Sequence, residues 1–329
     1  MKSDIKNKLK HVLNRLGILT FALRMIRYIP RYPVTLMYHR LTQDDATGIT
    51  SSDFEEHLIF LKKHCEIEPL ANLISSVNHR TKGKRKVAIT FDDGYEDFYQ
   101  SAWPLIKKHQ IPVTLFVTTG FIDGAVWLWP DKIHYILSSA NTFTARLDGF
   151  GEFTFDRDDV LEGWNQLGDY CLTLGRKERD HLIEKLAEIA NIQLPPTPLK
   201  QYKGLNWTQL KEMVEGGLQV ESHTVSHPIL SLLDKNDLVK ELADSKKSLE
   251  KNLGKPVEII CYPNGYSQDV SQLVEEQAQV CGYKYGVMAC IEGAAITDNG
   301  YRIGRVAAPK EKSNLAFNFL KWYVEFHSK

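Results

Sequence analysis

The sequence predicts an α/β protein whose parallel strands form a distorted (β/α) barrel of about seven strands. Short apolar runs with the length of buried strands recur along the chain, at residues 34–38, 87–91, 113–117, 218–221, 258–261 and 285–288. Amphipathic helical patterns lie between several of these runs. Strands that alternate with helices are typical of a parallel sheet, and 329 residues suit one barrel with additions better than two equal domains.

The predicted helices of the body begin after polar capping residues. Ser51 and Ser52 precede a helical pattern over residues 53–64, and Asn206 precedes one over 207–215. A third pattern, richer in charge, covers residues 236–253.

The first 29 residues alternate basic and apolar side chains at helical spacing and end before Pro30 and Pro33. We predict an N-terminal amphipathic helix within residues 1–32, which either packs on the body or contacts an anionic membrane surface or a partner. The apolar stretch over 17–23 is too short for a signal peptide or a membrane span, and Arg24 and Arg27 follow it. The expected location is cytoplasmic, either soluble or peripheral to the inner face of the membrane.

The rhythm of strands and helices breaks from about residue 120 to residue 203. This stretch carries a charged helical pattern over 176–192 and the tryptophans Trp127, Trp129 and Trp164. We interpret residues 122–203 as an insertion near the barrel mouth, within a main domain that covers residues 33–329.

The composition argues against several functional classes. The 41 basic side chains balance 41 acidic ones, so no net field attracts a polyanion and nucleic acid is not an expected partner. The cysteines form no CxxC pair, which argues against a disulfide framework or a thiolate zinc cluster and favours a reducing compartment. They are Cys65, Cys171, Cys261, Cys281 and Cys290.

Two adjacent carboxylates follow the predicted strand at 87–91. Asp92 and Asp93 precede Gly94, and because like charges at one strand end repel each other, a nearby cation would explain the pair. Taken alone, the pattern is also consistent with a polar turn.

Two histidines follow the predicted strand at 218–221. His223 and His227 are four residues apart, so both imidazoles can face one ion across a helical turn or a tight loop, and Pro228 disfavours a helix at His227. Taken alone, they are also consistent with incidental surface histidines. Together with the aspartate pair they supply one carboxylate and two imidazoles and leave coordination positions open. That set suits a catalytic zinc or a similar divalent ion.

Three motifs occur in a fixed order along the chain: Thr90-Phe-Asp-Asp-Gly-Tyr95, Ser222-His-Thr-Val-Ser-His227 and Tyr262-Pro-Asn-Gly265. In this order and spacing they resemble the NodB-like polysaccharide deacetylases of carbohydrate esterase family four, in its exopolysaccharide-type branch. The resemblance covers residues 33–121 and 204–310, and it does not account for the N-terminal helix or the insertion.

The resemblance implies a metal-dependent enzyme that hydrolyses the N-acetyl group of an amino sugar in a polysaccharide, an oligosaccharide or a lipid-linked glycan precursor. It implies Asp92 as the general base and the backbone N–H of Asn264 as an oxyanion donor. It also implies one divalent metal held by Asp93, His223 and His227, with zinc expected first and nickel, cobalt, manganese or iron as alternatives. The alternative functions are a catalytically inactive carbohydrate-binding protein of the same fold and a deacylase of a small amide.

The chain departs from the wider family at the partner of the base. The arginine that many members carry two residues before the proline of the third motif is replaced by Cys261. Arg302 or Arg305 could supply the missing charge, and Arg305 matches an arginine of the exopolysaccharide-type branch. Either arginine is also consistent with a surface salt bridge.

The second departure concerns the general acid. The leucine-plus-histidine motif, whose imidazole protonates the leaving amine in better-known members, is absent. His39, which follows the predicted strand at 34–38, resembles the first-strand histidine of the exopolysaccharide-type branch. We predict His39 as the general acid, with a structural histidine that caps the strand as the alternative.

The expected partner is an N-acetylated carbohydrate. By the resemblance, Tyr95, Tyr262 and Pro263 are predicted to bind it. Trp127 and Trp129 either form a stacking platform for a sugar ring or belong to the buried core of the insertion.

Overall fold

A computed structural model of the protein describes residues 32–42, 48–75, 82–289 and 299–325. The predicted N-terminal helix over residues 1–29, its membrane contact and Cys290 lie outside these ranges. Within them, no helix has both the length and the apolar character that crossing a bilayer requires.

The elements alternate along the chain as the sequence predicts. The strands are β1 Val34–Tyr38, β2 Leu41–Thr42, β3 Ile49–Thr50, β4 Cys65–Ile67, β5 Arg85–Phe91, β6 Thr114–Val117, β7 Phe143–Leu147, β8 Gly151–Phe155, β9 Gln219–Ser222, β10 Ile259–Cys261, β11 Tyr285–Met288, β12 Ile303–Gly304 and β13 Val306–Ala307. The α-helices are α1 Ser51–His64, α2 Leu70–Ser75, α3 Trp103–His109, α4 Thr119–Ile122, α5 Trp129–Ser139, α6 Val160–Cys171, α7 Arg176–Ile189, α8 Trp207–Glu215, α9 Lys235–Leu253, α10 Gln272–Val280 and α11 Lys312–Glu325. A π-helical turn covers Phe98–Ala102, and 3₁₀ turns cover Arg157–Asp159, Lys200–Tyr202, Leu230–Leu232 and Ser267–Asp269.

The main sheet is parallel and nearly closed. Its strands follow the order β12-β11-β10-β9-β6-β5-β1-β13, and β4 pairs with the side of β5. β12 and β13 are two halves of one stretch, interrupted at Arg305. The first half pairs with β11 (Val287 with Ile303) and the second with β1 (Leu36 with Val306). The path therefore returns to its start, which confirms the predicted α/β barrel. The expected count of about seven holds when the two halves count as one strand and β4 is left out.

All the predicted strands form, with bounds that differ by at most two residues. The predicted helix over 53–64 begins two residues earlier, at Ser51, because Thr50 rather than Ser52 caps it. Thr50 Oγ1 accepts from the backbone N–H of Asp53 at 3.1 Å, and the Asp53 carboxylate accepts from the backbone N–H of Thr50 at 3.0 Å. This reciprocal capping box satisfies two backbone donors that a helix start leaves unpaired. Asn206 caps α8 in the same way, as its sequence predicts.

Aromatic rings join the first strands to the helix that follows them. Tyr38 stacks on Phe91 with ring centroids 5.0 Å apart, and Phe54 of α1 meets Phe91 edge-on at 5.3 Å. Such pairs add about 0.5–1.5 kcal/mol each beyond the area they bury. They fix the carboxyl ends of β1 and β5, where His39 and Asp92 emerge.

The predicted insertion has a hydrophobic cluster of its own. It draws on α5, the antiparallel hairpin β7–β8, α6 and α7, and its fully buried members include Ile136, Phe155 and Leu167. Trp129 also belongs to this cluster.

A buried histidine lies beneath the end of β1. The Tyr38 hydroxyl is 3.1 Å from Nδ1 of His57, and both side chains are buried. Burial lowers the pKa of His57 to about 4, because the imidazolium form loses its hydration inside the core.

This pKa predicts an acid-dependent loss of stability. The unfolded chain takes up a proton at His57 near pH 6.5, whereas the folded chain resists protonation down to about pH 4. His57 should therefore stabilise the fold above pH 6.5, and that contribution of about 3 kcal/mol should be lost between pH 6.5 and pH 4. Denaturant unfolding across this range should show a smaller pH-dependent decline for His57→Gln than for the wild type. His181→Gln, on an exposed surface, is the control, and identical slopes for all three proteins would contradict the assignment.

Candidate metal centre and active site

The three motifs meet at the carboxyl end of the barrel. β5 ends at Phe91 and is followed by Asp92 and Asp93, and β9 ends at Ser222 and is followed by His223. β10 ends at Cys261, directly before the Tyr262–Gly265 motif. Because parallel strands end at the same rim, residues far apart in the sequence share one site.

The backbone of these motifs is strained. Six described residues other than glycine have positive φ, and four of them lie in the motifs: Asp93 (72°), Thr224 (68°), His227 (56°) and Asn264 (60°). The left-handed region is costly for any residue with a Cβ, and most so for a β-branched one such as Thr224. Such strain concentrates at functional sites, where the surrounding contacts hold it in place.

Asp93, His223 and His227 form a compact ligand set. Oδ1 of Asp93 lies 3.5 Å from Nε2 of His223 and 3.5 Å from Nε2 of His227, and all three side chains are buried. Oδ1 of Asp93 has no hydrogen-bond partner in the described part of the chain. A tetrahedral ion with ligands at about 2.0–2.2 Å separates its ligand atoms by about 3.3–3.6 Å. The spacing and the unpartnered oxygen therefore fit one divalent metal ion.

Both imidazoles present Nε2 to Asp93. Nδ1 of His223 donates to the carbonyl oxygen of Cys261 at 2.8 Å, which orients this ring so that Nε2 faces Asp93. Burial lowers the pKa of His227 to about 4, so this ring is neutral near pH 7. The neutral imidazole is the form that coordinates a metal.

A glutamate that the sequence analysis missed holds the histidine loop. Oε2 of Glu241 in α9 accepts from the backbone N–H groups of Val225 and Ser226, each at 2.9 Å, and Oε1 accepts from the Ser226 hydroxyl at 2.5 Å. On the other side, the backbone N–H of Gly120 donates to the carbonyl of Val225 at 2.8 Å. A Cβ at Gly120 would lie 2.7 Å from that oxygen, so the contact requires glycine. The sequence signal was an acidic residue on the apolar stripe of a predicted helix.

Asp92 is paired with Arg305. Nη1 and Nη2 of Arg305 donate to Oδ1 and Oδ2 of Asp92, both at 2.7 Å, and both side chains are almost fully buried. Burial raises the pKa of Asp92, but the charge and the two hydrogen bonds of Arg305 outweigh burial and set it below its usual value. Asp92 is therefore ionised, as a general base requires.

The side chain of Arg305 passes Cys261, the residue that replaces the family's usual arginine, to reach Asp92. Its Nη2 lies 3.0 Å from Sγ of Cys261, its Nη1 donates to Thr90 Oγ1 at 3.0 Å, and its Nε donates to the carbonyl of Met288 at 3.1 Å. Arg302 instead pairs with Glu275 at 2.5 Å, away from Asp92. Of the two candidate arginines, Arg305 is the one placed beside the base.

Asp92, His223 and Cys261 also lie close enough to form a second ligand set. Asp92 is already occupied by Arg305, and burial raises the pKa of the Cys261 thiol. A protonated thiol is a poor ligand, so the set that contains Asp93 fits a metal better.

His39 lies at the rim beside the base. Its Nε2 is 3.8 Å from Oδ2 of Asp92, and 48% of its side chain is exposed. An imidazole that is near the base and also open to solvent can exchange protons with both a substrate and bulk water. This placement suits the predicted general acid better than a histidine that caps a strand.

Asn264 has an available donor. Within the described ranges its backbone N–H has no acceptor, and its side-chain Nδ2 is buried without one. A free N–H beside the metal centre is what an oxyanion donor requires.

The predicted substrate-binding residues are mostly inside the protein. Tyr95, Tyr262 and Pro263 are buried, so their side chains offer no surface to a glycan. The Tyr95 hydroxyl donates to Asp131 of the insertion at 2.8 Å, which ties the aspartate motif to α5. This placement argues against the predicted role of their side chains, and Tyr95 instead positions the aspartate motif. Asp131 was missed because nothing in its local sequence marks it.

The two tryptophans predicted to stack on a sugar, Trp127 and Trp129, differ in burial. Trp129 is 7% exposed and belongs to the core of the insertion, so the stacking prediction is wrong for its ring. Trp127 is half-buried, with its ring centroid 5.6 Å from Tyr135 and 5.9 Å from Tyr202.

A barrel with an Asp/His/His set beside an arginine-paired carboxylate fits a metal-dependent hydrolase. The polysaccharide deacetylase family profile matches residues 79–145 and 176–286, which is more than half of the chain. The chain belongs to the polysaccharide deacetylase family, and it is a carbohydrate N-deacetylase. The family implies a divalent metal and an N-acetylated carbohydrate substrate.

The chain is similar in sequence or in fold to several known proteins over most of its length. A poly-β-1,6-N-acetyl-D-glucosamine N-deacetylase of Staphylococcus aureus is 27% identical over 297 residues, which cover 86% of this chain and 74% of the relative. The fold is similar to the Streptococcus pyogenes deacetylase PplD in complex with acetate (TM-score 0.57, 20% identity, 89% of this chain and 98% of that one). It is equally similar to IcaB from Ammonifex degensii (TM-score 0.57, 18% identity, 88% and 96%).

The ligand set predicts the metal content of variants. The purified protein should carry one divalent metal per chain, and His223→Ala or His227→Ala should lose it together with activity, since each removes one of three ligands. Elemental analysis after gel filtration measures this, with His181→Ala as the control. Full metal occupancy in the His223→Ala/His227→Ala double variant would refute the assignment.

Substitutions of Asp92 and Asp93 should have different effects on activity and metal content. Asp92→Asn should keep the metal and lower kcat by about 10²–10⁴-fold, because it removes only the proton acceptor. Asp93→Asn should lose the metal. Metal content and acetate release, measured on the same preparations, distinguish the two, and the opposite pattern would mean that the roles are exchanged. A thermal melt of Asp92→Asn checks that Arg305, left without its counter-charge, has not unfolded the barrel.

Proposed function

We propose that the protein hydrolyses the N-acetyl group of an amino sugar within a polysaccharide, an oligosaccharide or a lipid-linked glycan. The observation that carries this proposal is the carboxylate of Asp92, which Arg305 keeps ionised directly beside the set formed by Asp93, His223 and His227. The Staphylococcus aureus relative is named for poly-β-1,6-N-acetyl-D-glucosamine, which makes N-acetylglucosamine polymers the first substrate class to test.

Each group of the site has one task in this reaction. Asp93, His223 and His227 would hold a divalent ion, which would supply a Lewis acid to lower the pKa of a water molecule towards about 7 and to polarise the acyl carbonyl. Asp92 accepts the proton that water loses as it attacks, and Arg305 orients the carboxylate for that transfer. The backbone N–H of Asn264 donates to the oxygen that becomes negative. His39 gives a proton to the nitrogen as the C–N bond breaks, so that an amine and not an amide anion leaves.

We propose zinc as the native metal. One carboxylate and two imidazoles, with further positions open, form the donor set of catalytic zinc sites. Nickel, cobalt, manganese and iron accept the same donors, so elemental analysis of protein from unsupplemented medium is the test.

The ion pair between Asp92 and Arg305 bears on the two alternatives, a carbohydrate-binding protein and a deacylase of a small amide. A carbohydrate-binding protein has no need of a buried ionised carboxylate next to its metal ligands, since burying the pair of Asp92 and Arg305 costs desolvation energy. A small-amide deacylase would use the same groups, and only the substrate distinguishes it.

We also propose that the substrate is a glycan precursor on the cytoplasmic side of the membrane. The support is the alternation of basic and apolar residues over 1–29. A screen of defined N-acetyl sugars, free, nucleotide-linked and lipid-linked, would identify the substrate by released acetate. Release from small amides alone would overturn the carbohydrate assignment.

The proposed role of His39 as the general acid can be tested by substitution. His39→Ala should lower kcat by about 10²–10⁴-fold with unchanged metal content, because the leaving nitrogen loses its proton donor. Acetate release from the best substrate of the screen measures this, with His181→Ala as the control. Turnover near that of the wild type would assign the proton to water or to another side chain.

A further inference from the structure

A cavity lies between the predicted insertion and the loop that carries His223 and His227. It has a volume of about 120 Å³ and is lined by α5, α7 and Ser226. Its charged lining residues are Lys132, Arg176, Arg179 and Asp180. Three cations face one anion, so the cavity has an excess of positive charge.

Arg179 is buried, and the nearby carboxylate of Asp180 does not form an ion pair with it. It is 4% exposed, it makes no ion pair with any described residue, and its Nε has no hydrogen-bond acceptor. Its guanidinium lies 5.0 Å from the ring of Trp129, a cation–π contact that replaces only part of the lost hydration. Asp180 lies 3.9 Å from Nε of Arg176, and both side chains are about half-exposed. A buried cation without a partner is costly unless an anion joins it.

Two residues that line this cavity also carry buried donors without an acceptor. The indole Nε1 atoms of Trp127 and Trp129 are buried without hydrogen bonds in the described part of the chain, and both residues line the cavity. Two neutral donors and the Nε of Arg179, all without acceptors, suit a ligand whose surface consists of acceptor oxygens.

The cavity adjoins the metal centre. Ser226 lies in the loop between the ligands His223 and His227, and Nη1 of Arg176 donates to its hydroxyl at 3.3 Å. A group held in this cavity can therefore belong to the same glycan that presents its acetamide to the metal.

We propose that this cavity is a subsite for an oxyanion carried by the glycan, either a phosphodiester or a uronate carboxylate near the N-acetylated sugar. The proposal rests on the deacetylase function proposed above. Arginine pairs with either group through two parallel hydrogen bonds. A cavity of about 120 Å³ has room for a charged group of this size. The enzyme should then favour an anionic glycan over a neutral homopolymer.

Binding of simple anions tests the cavity apart from activity. The full chain is stripped of metal with a chelator, so that no ion can capture the anion, and is titrated calorimetrically with inorganic phosphate and, separately, with glucuronate. The double variant Lys132→Gln/Arg176→Gln should weaken binding by about tenfold or more, since it removes two charge-assisted contacts. Arg179→Gln should do the same if it folds. Lys177→Gln, an equal charge change at an exposed position next to Arg176, should bind as the wild type does. Equal affinity in the wild type and the double variant would overturn the proposal.

Turnover then distinguishes the two sources of the oxyanion. Acetate release is compared on three matched oligosaccharides of N-acetylglucosamine: one neutral, one with a phosphodiester and one with a uronate. The wild type should show a kcat/KM about tenfold or more higher on one anionic substrate, and the double variant should lose that preference while Lys177→Gln keeps it. Equal kcat/KM on all three substrates would refute the subsite and leave the deacetylase function intact. No acetate from any of them would refute the deacetylase function, and phosphate binding would still decide whether the cavity holds an oxyanion.

Discussion

The buried ion pair between Arg305 and Asp92 is the contact on which the site depends. Arg305 lies where the last strand of the barrel is interrupted, and its guanidinium reaches inward to the carboxylate that follows β5. The Arg305 side chain thus orients Asp92, and its backbone lies between the two strand halves that close the sheet. Loss of either partner would leave the other as an uncompensated buried charge, which costs about 3–5 kcal/mol. The proposed base and the closure of the fold therefore depend on one interaction.

The sequence predicts the parts of this protein that local patterns encode. The six apolar runs form strands, and because parallel strands end at one rim, the sequence alone is enough to expect Asp93, His223 and His227 in one place. The closing strand could not be predicted, since each of its halves has two residues and Arg305 interrupts them. The tasks of Glu241 and Asp131 were also out of reach. Each acts on a loop from a different element, and an isolated acidic residue carries no sign of its partner.

Residues 122–203, the predicted insertion, contact two of the motif loops. Asp131 ties it to the aspartate motif through Tyr95, and Arg176 ties it to the histidine loop through Ser226. The barrel rim supplies the set of Asp93, His223 and His227, and residues 122–203 place cations near it.

The position of Arg305 also bears on how the chain acquires activity during folding. Asp92 and its partner are 213 residues apart, and the strand halves beside Arg305 pair with β11 and with β1, which lies near the beginning of the described chain. A nascent chain can form the aspartate and histidine motifs long before residue 305 leaves the ribosome, but its base then has no counter-charge and its sheet has two open edges. Contacts of such sequence separation form late and slow the folding of barrels. Active enzyme thus appears only when the last strand is in place, and a truncated chain has neither a closed barrel nor a paired base.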